Sequence, residues 1–426
     1  MSPPHALVSG AGIAGPALAH QLVARGWQTT IVERFPERRD EGHNIDVRGA
    51  AREVVRRMGI DDDIRKANTT EIGMRFVNAD GSAAASFPMN SSGRGEGLTA
   101  ELEILRGELS RILIEHTRDT TEYRFDTQIA DLTDHGDRVT AVLDDGTSID
   151  ADLLVVAEGL RSRTRDLVMP VAVTDLGMYI AYLTIPRQES DDRWWNWQQI
   201  PGSRAIHLRP DNLGSTRAML SFLSGVRGLE DLGRDDQIAI LRRTFADAGS
   251  AAERILAQLD DAPMYFDAIG QVRAPHWSKG RVALLGDAAF CPSPVGGGGS
   301  SLALIGAYVL AGELSRTDDP RSALTRYEQF MRPHVSSAQQ VRPVVLRRAS
   351  PQTRAGIRAL HAGARVIASP VVRKGLSVLG SRFGRSAAED ITLPDYPDTD
   401  RNASNATYRG NGDDAKPAAS GARRVK

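Results

Sequence analysis

The chain has 426 residues, of which 41% are hydrophobic and 25% charged, with a formal net charge of -1 at pH 7. This balance is that of a soluble globular protein with room for two cores; it excludes a disordered chain and a protein drawn to nucleic acid or an anionic bilayer by its overall field. Cys291 is the single cysteine, so no internal disulfide is available, and neither a signal-type leader nor an apolar run of roughly 18 residues is present; a cytoplasmic protein is expected.

His5 to Val8 predicts a short buried strand, the glycines that follow a turn, Ala14 to Arg25 a helix, and Gln28 to Glu33 a second strand. Together they make a βαβ unit of about 30 residues, for which a parallel sheet is the default. Alternation from Met74 to Phe87 around Asp80-Gly81 predicts a hairpin belonging to another sheet. A helix over Leu105 to Arg118, a hairpin at Asp144-Asp145-Gly146 and the apolar strand Leu153 to Ala157 lead back to the first sheet. Val171 to Val272 is rich in β-type residues, with turns at Pro201-Gly202 and Asp211-Asn212 and one helix over Asp235 to Gln258. It predicts a mainly antiparallel sheet that roofs the active site. Val282 to Leu285 and Ser301 to Ser315 return as strand and helix, and the arginine-rich stretch Ser336 to Arg385 predicts one or two helices. Beyond Pro397 almost no large apolar residue remains, so a disordered tail is expected. The expected fold is α/β. A Rossmann-like nucleotide domain (1–72, 98–170, 273–332) is interleaved with a β-sheet substrate domain (73–97, 171–272) and followed by a helical region (333–396) and the tail (397–426).

The strongest motif is Gly10-Ala-Gly12-Ile13-Ala14-Gly15, directly after a strand and opening a helix. Gly10 permits the tight turn, Gly12 lets the backbone approach a pyrophosphate, and Gly15 allows close helix–strand packing, with the phosphates at a helix N-terminus. Glu33, with Arg34 beside it, ends the second strand about 20 residues later, where a carboxylate accepts from an adenosine ribose. This fingerprint alone does not separate NAD from FAD. A second block does: Gly280-Arg-Val-Ala-Leu-Leu-Gly286-Asp287, then Pro292-Ser-Pro294 and the glycines through Gly297, Gly298 and Gly299. It resembles the Gly-Asp motif of FAD-dependent aromatic hydroxylases, and Ser301 to Tyr308 continues it in the manner of that family.

Glu158-Gly159-Leu-Arg-Ser162 resembles the family's Asp-Gly motif, with Glu158 in place of the usual aspartate, and Arg106 resembles the helix-start arginine that contacts FAD in relatives. The chain is thus similar to the class A flavoprotein monooxygenases of the p-hydroxybenzoate hydroxylase type, nearest in pattern to tetracycline-inactivating and polyketide-tailoring members. The resemblance implies a Rossmann-like FAD-binding domain. It also implies NADPH or NADH as reductant, and O₂ activated as a flavin C4a-hydroperoxide that hydroxylates, or oxidises in Baeyer–Villiger fashion, an aromatic or polycyclic small molecule. It further implies that the segment containing Arg39, His43 and Arg48 runs beside the isoalloxazine ring. Each of these also reads as a surface cation or an internal ion pair.

Cys291 lacks a partner cysteine or an identifiable activating base, so a redox or nucleophilic role is rejected, and the nine histidines show no metal-ligand spacing. Trp195-Asn-Trp197-Gln-Gln-Ile-Pro201 has one residue more than the Trp-x-Trp-x-Ile-Pro signature of flavin-dependent halogenases. Trp195 and Trp197 read either as hairpin packing or as an aromatic wall for a planar substrate, and Tyr179 and Tyr182, read as sharing one strand face, pose the same choice. Another FAD oxidoreductase without oxygen insertion, or a non-catalytic binder of FAD or an aromatic ligand, is the alternative function. Nucleic-acid and membrane partners are not expected.

Overall fold

A computed structural model of the chain describes residues 2–39, 43–89, 102–293, 298–340, 343–369, 372 and 387–396. The tail expected to be disordered lies outside the described residues, as do Pro294 and Gly297.

The apolar runs read as buried strands assemble into one six-stranded sheet, in the order Ser278–Lys279, Val282–Leu284, Leu153–Val156, His5–Ser9, Gln28–Val32, Thr121–Arg124. All pairings but the first are parallel; Ala6 sits between Thr29 and Leu153. Burial on both faces explains why these strands read as continuous Val/Leu/Ile runs rather than alternating ones. The helices Ala14–Val23 and Gly299–Leu314 pack together against this sheet. Every residue from Ser301 to Leu314 is buried, so that helix is apolar all round and forms the spine of the nucleotide half.

A seven-stranded sheet has the order Met264–Gln271, Thr174–Pro186, Ser215–Leu223, Arg204–Pro210, Trp195–Ile200, Gly73–Val77, Ala83–Pro88. The early hairpin thus forms its edge, pairing in parallel with Trp195–Ile200, so the chain enters the roof, leaves it and returns. One face carries Tyr179, Ala181, Leu183 and Ile185 and buries them under the helices Arg234–Phe245 and Ser250–Leu256. The opposite face presents Met178, Ile180 and Tyr182.

Two elements differ from expectation. The single helix over Asp235 to Gln258 is two helices, broken where Gly249 takes φ +84, a region open to glycine and strained for other residues. The helical C-terminal region begins earlier than read, with Pro320–Ala338, whose N-cap Asp319 accepts from the N–H groups of Arg321 and Ser322 while Pro320 occupies the first turn.

Candidate functional site

Gly10 ends its strand at φ +113, and its N–H donates to Val32 O at 2.8 Å. A Cβ there would lie 2.6 Å from Ala157 O, and one on Gly15 would lie 2.0 Å from Gly10 O, so neither position admits a side chain. The N-cap of the following helix, Ile13, supplies no side-chain acceptor, which leaves its first N–H groups available to an anion. At Gly12 the nearest atom to a hypothetical Cβ is Nη2 of Arg106, at 3.3 Å.

Arg106 opens the helix Arg106–Glu115, and its backbone N–H donates to His43 O at 3.0 Å. Its guanidinium has no hydrogen bond or ion pair among the described residues. Burial, and after it the charge of Arg39, pushes its pKa down, against the pull of Asp287 and Glu33. Asp287 begins the short helix Asp287–Phe290, and burial raises its carboxyl above the ordinary range against the attraction of Arg106.

A single cleft of about 1110 Å³, part of it open to solvent, joins these distant segments. Gly10, Gly12, Ile13 and Ala14 line it from the turn; Glu33 and Arg34 line it from the end of the second strand. Arg106, Gly159, Asp287 and Gly299 complete the wall. Gly15 and Gly286 lie behind it: a Cβ on Gly286, itself at φ +64, would approach that of Ala14 to 3.0 Å. Gly298, at φ +79, is the N-cap of the helix Gly299–Leu314 and likewise brings no side chain to its start. Glu33 anchors the turn from below, accepting from the N–H of Ala11 at 2.8 Å and of Phe35 at 3.2 Å. Glu158, which departs from the family pattern, is engaged internally: it accepts from Ser9 Oγ, Ser162 Oγ and the N–H of Thr164, tying the Gly159 loop to the sheet. A cleft with an unpaired guanidinium, an uncapped helix start and a desolvated carboxylate is complementary to a diphosphate bearing hydroxyl groups. The residues present fit FAD.

Beyond Arg106, whose N–H donates to His43 O, the two halves meet. His43 stacks on Tyr182 with ring centroids 4.6 Å apart and planes 15° apart. Burial, then Arg106 and Arg209, lowers the His43 pKa to about 3, so the ring is neutral at physiological pH. The Arg39 guanidinium lies over the rings of Phe35 and Tyr265, at 4.5 and 4.9 Å, beside the cleft it lines. Arg48 is buried and donates to Asp46 Oδ2 from Nε at 3.1 Å and Nη2 at 2.9 Å, while its N–H reaches Ser301 Oγ.

The expectation that Tyr179 and Tyr182 share a face is wrong. The two are three residues apart on an extended strand, an odd offset that puts them on opposite faces. Tyr179 packs on Phe222 and Phe266 beneath the helices, with its hydroxyl donating to Val226 O, and is core rather than cleft. Trp195 and Trp197 lie parallel on the face of Tyr182, with centroids 5.8 Å and planes 2° apart. Trp197 also touches Phe76, and Arg209 caps the Trp195 ring at 4.1 Å.

Sequence reasoning missed the polar network behind that cap. Arg209 Nε donates to Glu71 at 2.9 Å and Nη2 to Glu103 at 2.7 Å, and Glu103 accepts further from Asn44 and Thr69. Burial raises Glu71 well above the carboxylate range, while Arg209 pulls the other way. Arg209 lies more than a hundred residues from both acids, so no local pattern announced the pairing.

The family model described as "FAD binding domain" matches residues 5–341. A flavin-dependent monooxygenase of Phoma sp, eupH, is 35% identical over 422 residues, covering 92% of this chain and 97% of that one. The crystal structure of tetracycline destructase Tet(55) superposes with a TM-score of 0.76 at 32% identity, over 93% of this chain and 99% of the other. Klebsiella pneumoniae HpxO, solved with FAD and uric acid, shares the fold at a TM-score of 0.72 and 21% identity, over 88% of this chain and 96% of that one.

Proposed function

We propose, for a chain that belongs to the FAD-binding-domain family and is an FAD-dependent monooxygenase, that it uses NADPH or NADH and O₂ to oxygenate an aromatic or polycyclic small molecule. The observation that carries this is the single cleft in which the N-terminal glycine turn, Arg106 and Asp287 face one another. FAD, when bound, supplies the redox chemistry, accepting electrons from a nicotinamide and passing them to dioxygen.

The chain's own residues bind, orient and exclude water. The N–H groups after Gly12 and the Arg106 guanidinium hold the diphosphate, Glu33 takes the adenosine ribose, and Asp287 accepts from ribityl hydroxyls. Arg39, which lines the same cleft, would bring a positive charge that favours negative charge on a bound flavin. Met178, Ile180, Met219 and Leu223, on the roof face that also bears Tyr182, form an apolar ceiling that keeps water from the reacting centre. His43, neutral and stacked on Tyr182, contributes shape rather than charge. The resemblance to tetracycline destructase Tet(55) supports a flat, multi-ring substrate.

The test is to load the purified protein with FAD and screen hydroxylated polycycles for accelerated NAD(P)H oxidation, with one equivalent of O₂ consumed and a product heavier by one oxygen. Oxidation of NAD(P)H with only hydrogen peroxide formed for every compound would count against oxygen insertion.

A further inference from the structure

The roof face turned away from its two helices carries a cross-strand row: Trp197, His207, Met219, Tyr182, Tyr265. Tyr182 stacks on His43 of the nucleotide half at one end, Trp197 packs on Phe76 beside the C-terminal helix Arg354–Ala368 at the other, and His207 stands between them, two strands from Tyr182 or about 10 Å. His207 is 4% exposed, and its Nδ1 accepts the indole N–H of Trp195 at 3.0 Å. An indole nitrogen only donates, so Nδ1 bears no proton. Burial, and after it Arg209, keeps the ring neutral, which leaves its one hydrogen on Nε2.

That N–H makes no hydrogen bond among the described residues and is not sealed from the space in front of it. Beside it Nε1 of Trp197, whose ring centroid is 4.7 Å from that of His207, is buried without an acceptor. A buried donor without an acceptor is costly, and structures tolerate one where a ligand completes it. The ligand atom these two donors call for is an uncharged oxygen. Arg209, the nearest cation, is engaged by Glu71 and Glu103 and has no charge left for a carboxylate.

We propose that His207, flanked by Trp197, is a specificity-determining residue that donates from Nε2 to a ring-carbonyl oxygen of a planar polycyclic substrate. The assignment rests on the monooxygenase reading above and narrows it to carbonyl-bearing rings. Trp195 serves as a positioning residue, since its indole fixes which imidazole nitrogen donates.

FAD-loaded protein is titrated by equilibrium dialysis with xanthone and with xanthene, which differ only in a ring carbonyl against a methylene. Wild type binds xanthone about tenfold tighter, the weight of one buried hydrogen bond. His207→Phe binds the two within twofold while keeping its affinity for xanthene, and His207→Gln, which retains a donor, regains part of the preference. Trp195→Phe keeps the packing, frees Nδ1 to take the proton and gives an intermediate preference, so the inference stays testable if His207→Phe misfolds. Equal binding of both probes by wild type, binding of neither, or a full preference in His207→Phe or Trp195→Phe overturns the proposal. If the protein oxygenates other aromatics while showing no carbonyl preference, this assignment falls and the monooxygenase reading stands; a protein that takes up no FAD sinks both.

Discussion

Replacing Arg106 by methionine isolates the part of the cleft that waits for a phosphate. The guanidinium is half-buried, repelled by Arg39 and unpaired among the described residues, so in the FAD-free protein its charge opposes folding. Methionine keeps the apolar stem and removes that charge. The FAD-free variant is therefore expected to be more stable than wild type, with about 1 kcal/mol appearing as a melting temperature higher by roughly 1 °C for a chain of this length. With FAD the sign reverses. A charge-assisted hydrogen bond to a phosphate contributes about 2 kcal/mol, so the FAD dissociation constant should rise roughly thirtyfold. Differential scanning fluorimetry with and without FAD, together with quenching of flavin fluorescence on titration, measures both effects. A variant whose FAD affinity is unchanged, or whose FAD-free form melts several degrees lower, would refute the placement of Arg106 as an unpaired cation facing the diphosphate.

Gly15→Ala forces a methyl to within 2.0 Å of Gly10 O, so the turn must open; a loss of roughly 2–3 kcal/mol and of FAD retention is expected, read from the melting curve and the 450 to 280 nm absorbance ratio. Asp287→Asn should weaken FAD retention about tenfold in the same absorbance assay, because an amide is a poorer acceptor than a carboxylate. Cys291→Ser should leave retention and turnover within about threefold, since burial and then the Asp287 carboxyl beside it push the thiol well up, away from the reactive thiolate; a tenfold loss of turnover would reinstate a catalytic role. His43 and His20 have folded pKa values lowered to about 3 and about 4 by burial, below the unfolded 6.5, so the unfolded chain takes up protons that the folded one refuses. Stability is thus present above pH 6.5 and lost as pH falls, by about 1.4 kcal/mol for each histidine between pH 7.5 and 5.5. Urea midpoints at those two pH values should show the loss, to which the buried His207 adds in the same direction, and His43→Asn should remove only the part that His43 contributes.

The parts of the site legible in the sequence are those where the backbone itself does the binding. Gly10 and Gly15 announce a turn because no other residue satisfies its geometry, and Gly286-Asp287 reads as a second contact because it ends another apolar strand. The helix Pro320–Ala338 was equally readable, from Asp319 and Pro320 at its start and Ala323, Leu324, Tyr327, Met331 and Val335 along one stripe, yet it passed unnoticed. Tyr179 was misread for a reason of parity: with Tyr182 placed inward, a residue three positions earlier on an extended strand points outward. Other features were out of reach. Which acid neutralises Arg209, or which nitrogen of His207 carries the hydrogen, depends on side chains brought together only by tertiary packing.

The parallel pairing of Gly73–Val77 with Trp195–Ile200 also has a cost in time. At roughly 5–20 residues per second a ribosome needs several seconds to deliver the second strand after the first, about 120 residues later, and until then the early hairpin leaves the exit tunnel with one long edge unpaired. Translation rate across that interval, and holdase chaperones that shield the open edge, should therefore govern the soluble yield of this protein more than changes in the finished core.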